Sequence, residues 1–494
     1  MLTRAHAERL ADHLRVAGYT LEAVTDRIGA EATAALARNT TVAAARALGT
    51  DADPQAALIR LFLLHQTVPD AAARAALGDP APLAGAGIIE PTADGVRAAL
   101  EIRPYAAEGQ GVNFDGWIAN DLLPNLDGHL GRSRPDYVLG ASPASTTLSQ
   151  MTIRRPIGRA LDLGTGCGIQ SLLLAQHADA VVATDLNPRA VAMAGLTAGL
   201  NGIDLDLRTG SLYEPVAAES FDLIVTNPPY VMSPPGGERL VYREGAFTAD
   251  GLVRRVVVDG AARLAPGGTL QVLGNWAITG EEDWPDRLHA WIDPTGCDAL
   301  VLQRERFDAY EYIEMWLADA GLLGTDEYRP RYEEWVDYFD QLGIEGVGLG
   351  WIALHRAGRD TPEVRIEEWP HAVVQPVGEA FAAHQRGAGW AAATDAALLA
   401  QAWTLDARID AETIGRPGAA DPEHLVLRQR YGFGRAVEVD TALGAVLGAC
   451  DGDLPAGTLI AAVADLLDVD AAALTGEITP RLRALIREGY LAAP

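Results

Sequence analysis

A chain of 494 residues exceeds what one ordinary hydrophobic core organises, so two to four domains are expected. With 49% of its residues hydrophobic and 21% charged, it is read as soluble and globular, which excludes a disordered chain. Its formal charge of -28, from 67 acidic against 39 basic side chains, repels polyphosphates and ranks free nucleic acid low among expected partners, although a GC-rich or salt-adapted genome produces the same acidity.

The opening residues, Met1 to Leu10, scatter charges and hold no apolar stretch of the secretory kind. No segment approaches the ~20 apolar residues of a membrane span. A cytoplasmic enzyme with no membrane partner is the expectation. Cys167, Cys297 and Cys450 stand far apart, which excludes a zinc knuckle, argues for reduced thiols and leaves no metal expected; Cys167 should pack near a ligand loop.

Residues 1–108 read as a mainly helical domain. Apolar spacing over Leu10, Leu14, Leu21 and Val24 is followed by the run Ala57 to Leu64, a helix over Asp70 to Leu77, a turn at Leu83 to Ile89 and an extended stretch from Val96 to Tyr105. This order resembles a winged helix. Winged helices often contact DNA, but Asp70 to Leu77 holds one Arg and no Lys, so a protein-contacting or structural module is the preferred reading.

Residues 109–358 alternate strand and helix signals, predicting an α/β domain on a mostly parallel sheet. Candidate strands are 159–163, 180–184, 221–226, 268–273, 299–302 and 348–354, the last an antiparallel return strand after helical residues 332–341. Candidate helices cover 170–176, 188–201 and 251–264. From 359 to 494 the chain is Ala-rich and mainly helical again, with helices read at 439–452 and 480–491 and a second winged-helix-like ending.

The chemistry starts at Ala160-Leu-Asp-Leu-Gly-Thr-Gly-Cys-Gly168, an apolar strand entering a Gly-rich turn that opens a helix. Gly164, Gly166 and Gly168 let backbone approach a ligand where a Cβ would clash. A dinucleotide fingerprint needs its third Gly at position 169, which is Ile, so the turn points away from a pyrophosphate. Asp185 ends the next strand, 23 positions beyond Asp162, where a carboxylate can take both ribose hydroxyls.

Asp162-Leu-Gly-Thr-Gly-Cys-Gly168 followed by Asp185-Leu-Asn-Pro188 resembles the class I methyltransferases, which implies a seven-stranded Rossmann-like domain and S-adenosylmethionine as cofactor. The resemblance places Asp162, Gly164, Thr165, Gly166 and Gly168 around the methionine moiety, and Asp185 and Leu186 at the ribose. Where that family often has an Asp at the adenine amine this chain has Ser211, leaving the contact to Ser211 or the Leu212 backbone.

A further strand, Phe221 to Thr226, runs into Asn227-Pro-Pro-Tyr230. Neither proline donates an N–H and each is fixed near φ of about -65°, so the turn is stiff and presents carbonyls. The Asn227 side-chain oxygen and the Pro228 carbonyl can accept both hydrogens of one NH₂ group, favouring a pyramidal nitrogen whose lone pair faces the sulfonium methyl. Pro229 stiffens the turn and Tyr230 offers a flat stacking face. The motif is shared by adenine N6-methyltransferases and by the protein-glutamine N5-methyltransferases that modify release factors.

Tyr242-Arg-Glu-Gly-Ala-Phe-Thr-Ala-Asp-Gly-Leu252 and Val138-Leu-Gly-Ala-Ser-Pro-Ala-Ser-Thr146 look like elements of the glutamine enzymes, with Ser142 and Thr146 standing in place of their Arg and Glu. The resemblance covers residues 135–275. The leading expectation is a protein or peptide glutamine acceptor on a basic partner. RNA is the alternative, through methylation of an exocyclic amine of rRNA or tRNA (adenine N6 or guanine N2). A third expectation is a non-catalytic cofactor sensor that binds DNA through its winged modules. Glu244 and Asp250 are candidates either for holding a cationic part of the substrate or for helix capping.

Overall fold

The computed structural model describes residues 3–109, 111–129, 134–235, 247–416 and 424–493. They form two compact units, one of residues 1–149 and 155–369, the other of 150–154 and 370–494.

The first unit opens with helices that start where side chains cap them. The Thr20 hydroxyl accepts from the Ala23 amide at 3.2 Å, and Asp53 accepts from Gln55 and Ala56 with Pro54 at the first helical position. After the helices Asp70–Leu77 and Ala81–Gly85 come β1 (Ile89–Thr92) and β2 (Gly95–Ala98), an antiparallel hairpin, with an isolated bridge from Val68 to Val96. A Cβ on Gly95 would lie 2.1 Å from the Val68 carbonyl, so this close approach requires glycine. The stretch 96–105, expected as one extended segment, is two strands: β3 (Glu101–Gly109) starts a second ladder with β4 (Val112–Asn120).

The main sheet comprises β5 (Ile157–Leu163), β6 (Ala178–Asp185), β7 (Asp206–Thr209), β8 (Phe221–Thr226), β9 (Leu264–Thr279), β10 (Asp298–Asp308), β11 (Ile344–His355) and β12 (Val364–Glu368). Their spatial order is β12-β10-β11-β9-β8-β5-β6-β7, parallel except for β11, which runs antiparallel between β9 and β10 as the return strand was expected to do. The sheet has eight strands, not the expected seven, because β12 adds alongside β10. That strand lies beyond the expected boundary at 358. β8 is buried along nearly its whole length and β5 over its last four residues, the pattern of strands covered on both faces.

Residues 1–108 share a hydrophobic core with the sheet domain. Leu10, Leu14 and Phe62 belong to one buried cluster with Cys167, Ile169, Met193 and Leu200. The edge of β4 is satisfied by the Pro188–Asn201 helix: Asn201 accepts from the Trp117 amide at 3.0 Å and donates to its carbonyl at 2.7 Å, and Thr197 accepts from Ala119. This shared core places the first two expected domains in one unit.

The second unit was expected to be mainly helical, but it also holds two three-stranded sheets. Pro480, expected to open a helix, sits inside Ala471–Arg487. That helix packs against Gly378–Ala391 so closely that a Cβ on Gly387 would lie 2.4 Å from the Ile486 carbonyl. Its own core gathers Trp403, Leu443, Ile460 and Leu482. Among the described residues no helix is long and apolar enough to cross a membrane, and no cluster of metal-binding side chains occurs.

Candidate active site

Register sets the site. Leu163 at the end of β5 pairs with Thr184 of β6 and with Thr226 of β8, and Asp185 pairs with Thr209 of β7. The segments at Gly164, Leu186, Ser211 and Asn227 therefore leave the sheet at the same edge, the carboxyl ends of parallel strands. The connections diverge between β5 and β8, the switch point where open α/β sheets bind ligands.

At the glycine turn, φ is +76° at Gly164, +55° at Gly166 and +87° at Gly168. The amides of Gly164 and Thr165 both donate to the Thr184 carbonyl, at 2.8 and 2.9 Å, which ties the turn to β6. The three glycines differ in what they permit. A Cβ on Gly164 or Gly166 would meet nothing within 4 Å, so open space adjoins the turn; one on Gly168 would press on Ala194 at 3.1 Å. Gly168 is thus a packing position between the Ile169–Leu174 and Pro188–Asn201 helices.

Both expected carboxylates work on this turn. Asp162 is 2% exposed, and its Oδ2 accepts from the Thr165 hydroxyl at 2.7 Å and from the Ser171 hydroxyl and amide at 2.6 and 3.0 Å. Burial pushes its carboxyl up to about 6 against those hydrogen bonds. Asp185 accepts from the Asn187 amide at 2.8 Å and the Gly166 amide at 3.0 Å, and burial raises it as well. Asn187 then caps the next helix, accepting from the Arg189 amide. Leu186 is 59% exposed, while Ser211 and Leu212 are half-buried, Leu212 at φ +45°. Cys167 is buried in the turn, its thiol pushed up to about 11 by burial.

The second loop adjoins the first. The Thr226 hydroxyl donates to the Leu163 carbonyl at 2.8 Å, joining the end of β8 to the start of the glycine turn. Asn227 follows, and its side-chain oxygen is fully buried without a hydrogen-bond partner among the described residues. An orphaned buried acceptor costs free energy unless something donates to it. Pro228 is buried, while Pro229 and Tyr230 are half-buried. The Tyr230 carbonyl accepts from Asn275 Nδ2 at 2.8 Å, and burial raises the Tyr230 hydroxyl.

Other expected residues fall elsewhere. Asp250 is 4% exposed, and both its oxygens are taken by Arg287 at 2.8 Å, with the Ala277 amide at 2.9 Å; it is an internal ion pair, neither a side-chain cap nor a contact for a cationic substrate. Glu244 lies outside the described residues. Ser142 opens the helix at Pro143, its hydroxyl accepting from the Ser145 amide, and Gln170 donates to the Ser145 carbonyl at 2.7 Å. A cavity of about 640 Å³, lined by Arg4, Ile88, Met193, Leu196 and Leu207 among others, lies over the Pro188–Asn201 helix, and neither the glycine turn nor Asn227–Tyr230 lines it. Sequence reasoning missed Ser171, Asn275 and Tyr312; the signal for Asn275 is an amide in the otherwise apolar run Val272 to Ile278.

A methyltransferase small domain model matches residues 142–284, and a domain of unknown function model matches 16–99. The chain is 30% identical over 190 residues to the ribosomal protein uL3 glutamine methyltransferase of Bradyrhizobium diazoefficiens, covering 36% of this chain and 56% of that protein. It is 33% identical over 203 residues to the enzyme of the same name from Bordetella pertussis, covering 37% of this chain and 68% of that one. To the ribosomal RNA small subunit methyltransferase C of Erwinia tasmaniensis it is 25% identical over 159 residues, 32% of this chain and 41% of that one. The chain thus spans little more than half of the Bradyrhizobium protein's length. The matched region contains the glycine turn, both carboxylates and Asn227 to Tyr230, and the chain belongs to the methyltransferase small domain family of S-adenosylmethionine-dependent methyltransferases.

Proposed function

We propose that this protein methylates the amide nitrogen of a glutamine side chain in a protein or peptide. The observation that carries the reading is the Asn227 side-chain oxygen, buried without a hydrogen-bond partner among the described residues and one position past the end of the strand beside the glycine turn. The residues fit the cofactor: open space adjoins Gly164 and Gly166, and two carboxylates lie at the turn, where a sulfonium cation and ribose hydroxyls are favourable partners. Gly164 to Gly168 with Asp162 and Thr165 would hold its methionine part, Asp185 and Leu186 its ribose, Ser211 and Leu212 its adenine. When bound, the cofactor supplies an electrophilic methyl group and its own leaving group.

The chain's own task is then orientation. Asn227 Oδ1 accepts one amide hydrogen and the Pro228 carbonyl the other, which draws the nitrogen lone pair out of conjugation. Pro229 keeps the turn rigid and Tyr230 stacks on the flat amide. The methylated nitrogen sheds one of its two protons to solvent, so no strong base is needed and positioning contributes most of the rate.

The relatives that carry glutamine methyltransferase names support a protein acceptor, and the charge of -28 suits a basic one in the cytoplasm. The Erwinia relative favours a second reading, an exocyclic amine of RNA. The helices and hairpin of residues 54–98 support a winged-helix-like module, read here as structural or protein-contacting because Asp70–Leu77 offers only Arg74 to a phosphate. The test is tritiated methyl transfer in a lysate from a strain lacking the protein, divided into protein, RNA and small molecules. Label at glutamine in protein is expected; label in RNA alone would replace this reading with the second.

A further inference from the structure

β10 runs antiparallel to β11, and β11 antiparallel to β9, so β10 ends at the same edge of the sheet as β8. The link from β10 to β11 is no tight turn but two helices, Ala309–Asp319 and Tyr328–Leu342, the first opened by a capping box between Asp308 and Glu311. Tyr312, Trp335 and Phe339 of these helices pack in one cluster with Val231 and Met232, the two residues that follow Tyr230.

Polar contacts inside this apolar cluster converge on one hydroxyl. Tyr312 is fully buried, and its oxygen accepts from the Met232 amide at 3.2 Å and from Asn275 Nδ2 at 3.0 Å. The same Asn275 nitrogen gives its other hydrogen to the Tyr230 carbonyl at 2.8 Å. Both hydrogens of that NH₂ group and both lone pairs of the phenol are then in use. Packing alone would hold the helices with Phe at 312; the hydroxyl adds two bonds, one to the backbone after Tyr230 and one to the amide that holds Tyr230. From the second helix of the same hairpin the Tyr338 hydroxyl accepts from the Ala249 amide at 3.1 Å.

We propose that Tyr312 and Asn275 are positioning residues for methyl transfer, fixing the Tyr230 carbonyl and thereby the Asn227–Tyr230 turn that orients the acceptor nitrogen. The inference rests on the functional reading above. It makes the helical hairpin part of the acceptor side of the site, while the cofactor side stays with the glycine turn.

The experiment compares wild type, Tyr312→Phe, Asn275→Ala and the double variant in the same lysate assay, following initial rates at saturating acceptor in whichever fraction is labelled. S-adenosylmethionine affinity is taken by calorimetry, and thermal midpoints fix a temperature at which all four proteins are folded. Each single variant should lose turnover roughly tenfold with cofactor affinity within about twofold, and the double variant should lose no more than the worse single one, because both act through one contact. Unchanged turnover in folded Tyr312→Phe, an equal fall in cofactor affinity, or multiplied losses in the double variant would overturn the inference. Label in RNA alone would displace the glutamine reading yet leave these comparisons valid. No label from wild type in any fraction would remove both.

Discussion

Asn227 and Asp162 make opposite demands on their surroundings. The Asn227 oxygen is a buried acceptor with no partner among the described residues, so on the proposed reading Asn227→Ala should lower kcat roughly 10²- to 10³-fold, the effect of losing one preorganised contact to the reacting group, while cofactor affinity holds. Steady-state rates beside calorimetry check this, and full turnover in the variant would remove the mechanism. Asp162 instead spends its Oδ2 on Thr165 and Ser171. Because its folded-state value is raised, its stabilising contribution is present below about pH 4 and is lost as pH rises through about 6. Between pH 4 and 7 wild type should lose about 2 kcal/mol from this group that Asp162→Asn does not lose, read by urea unfolding at both pH values. The sequence made the carboxylate pair legible through its spacing, but it could not tell a side chain that supports the turn from one that faces a ligand. That distinction depends on Ser171, which only the helix geometry brings to Asp162. Asn275 and Tyr312 were hidden for the same reason: Asn275 meets the Tyr230 carbonyl across 45 residues of chain, and Tyr312 meets the Met232 amide across 80.

Among the elements, the glycine turn separates two kinds of glycine that the sequence reads alike. Gly166 needs its left-handed backbone and faces open space, so Gly166→Ala should cost ~1–2 kcal/mol of strain and weaken cofactor binding by about tenfold in calorimetry. Gly168→Ala adds a clash with Ala194 backbone to similar strain, so it should lower the thermal midpoint more than Gly166→Ala does. Equal midpoints would contradict the packing role. The inner strands were legible because near-continuous apolar runs end at glycine, aspartate or asparagine. β7 and β12 were not, since they are short edge strands with charged residues, Asp206 and Arg208 in one, Arg365, Glu367 and Glu368 in the other, and carry no buried run.

For the whole molecule, the division into parts was the least legible feature, because a core shared between Phe62 and Met193 leaves no trace in local composition. Charge, by contrast, needs no fold to read. A surface carrying -28 attracts a lysine- and arginine-rich acceptor at long range, and that attraction is screened once the Debye length falls from about 10 Å at 0.1 M salt toward 3 Å at 1 M. On the proposed reading methyl transfer itself is oriented by the Asn227 oxygen and the Pro228 carbonyl, involves no exposed ion pair and should not feel the salt. Raising ionic strength should therefore increase KM for a basic protein acceptor several-fold and leave kcat nearly constant. For an RNA acceptor the same surface is repulsive, so added salt should lower KM until any local basic contacts are screened. Initial rates against acceptor concentration at low and high salt distinguish the two, and a KM that falls with salt would count against the glutamine reading.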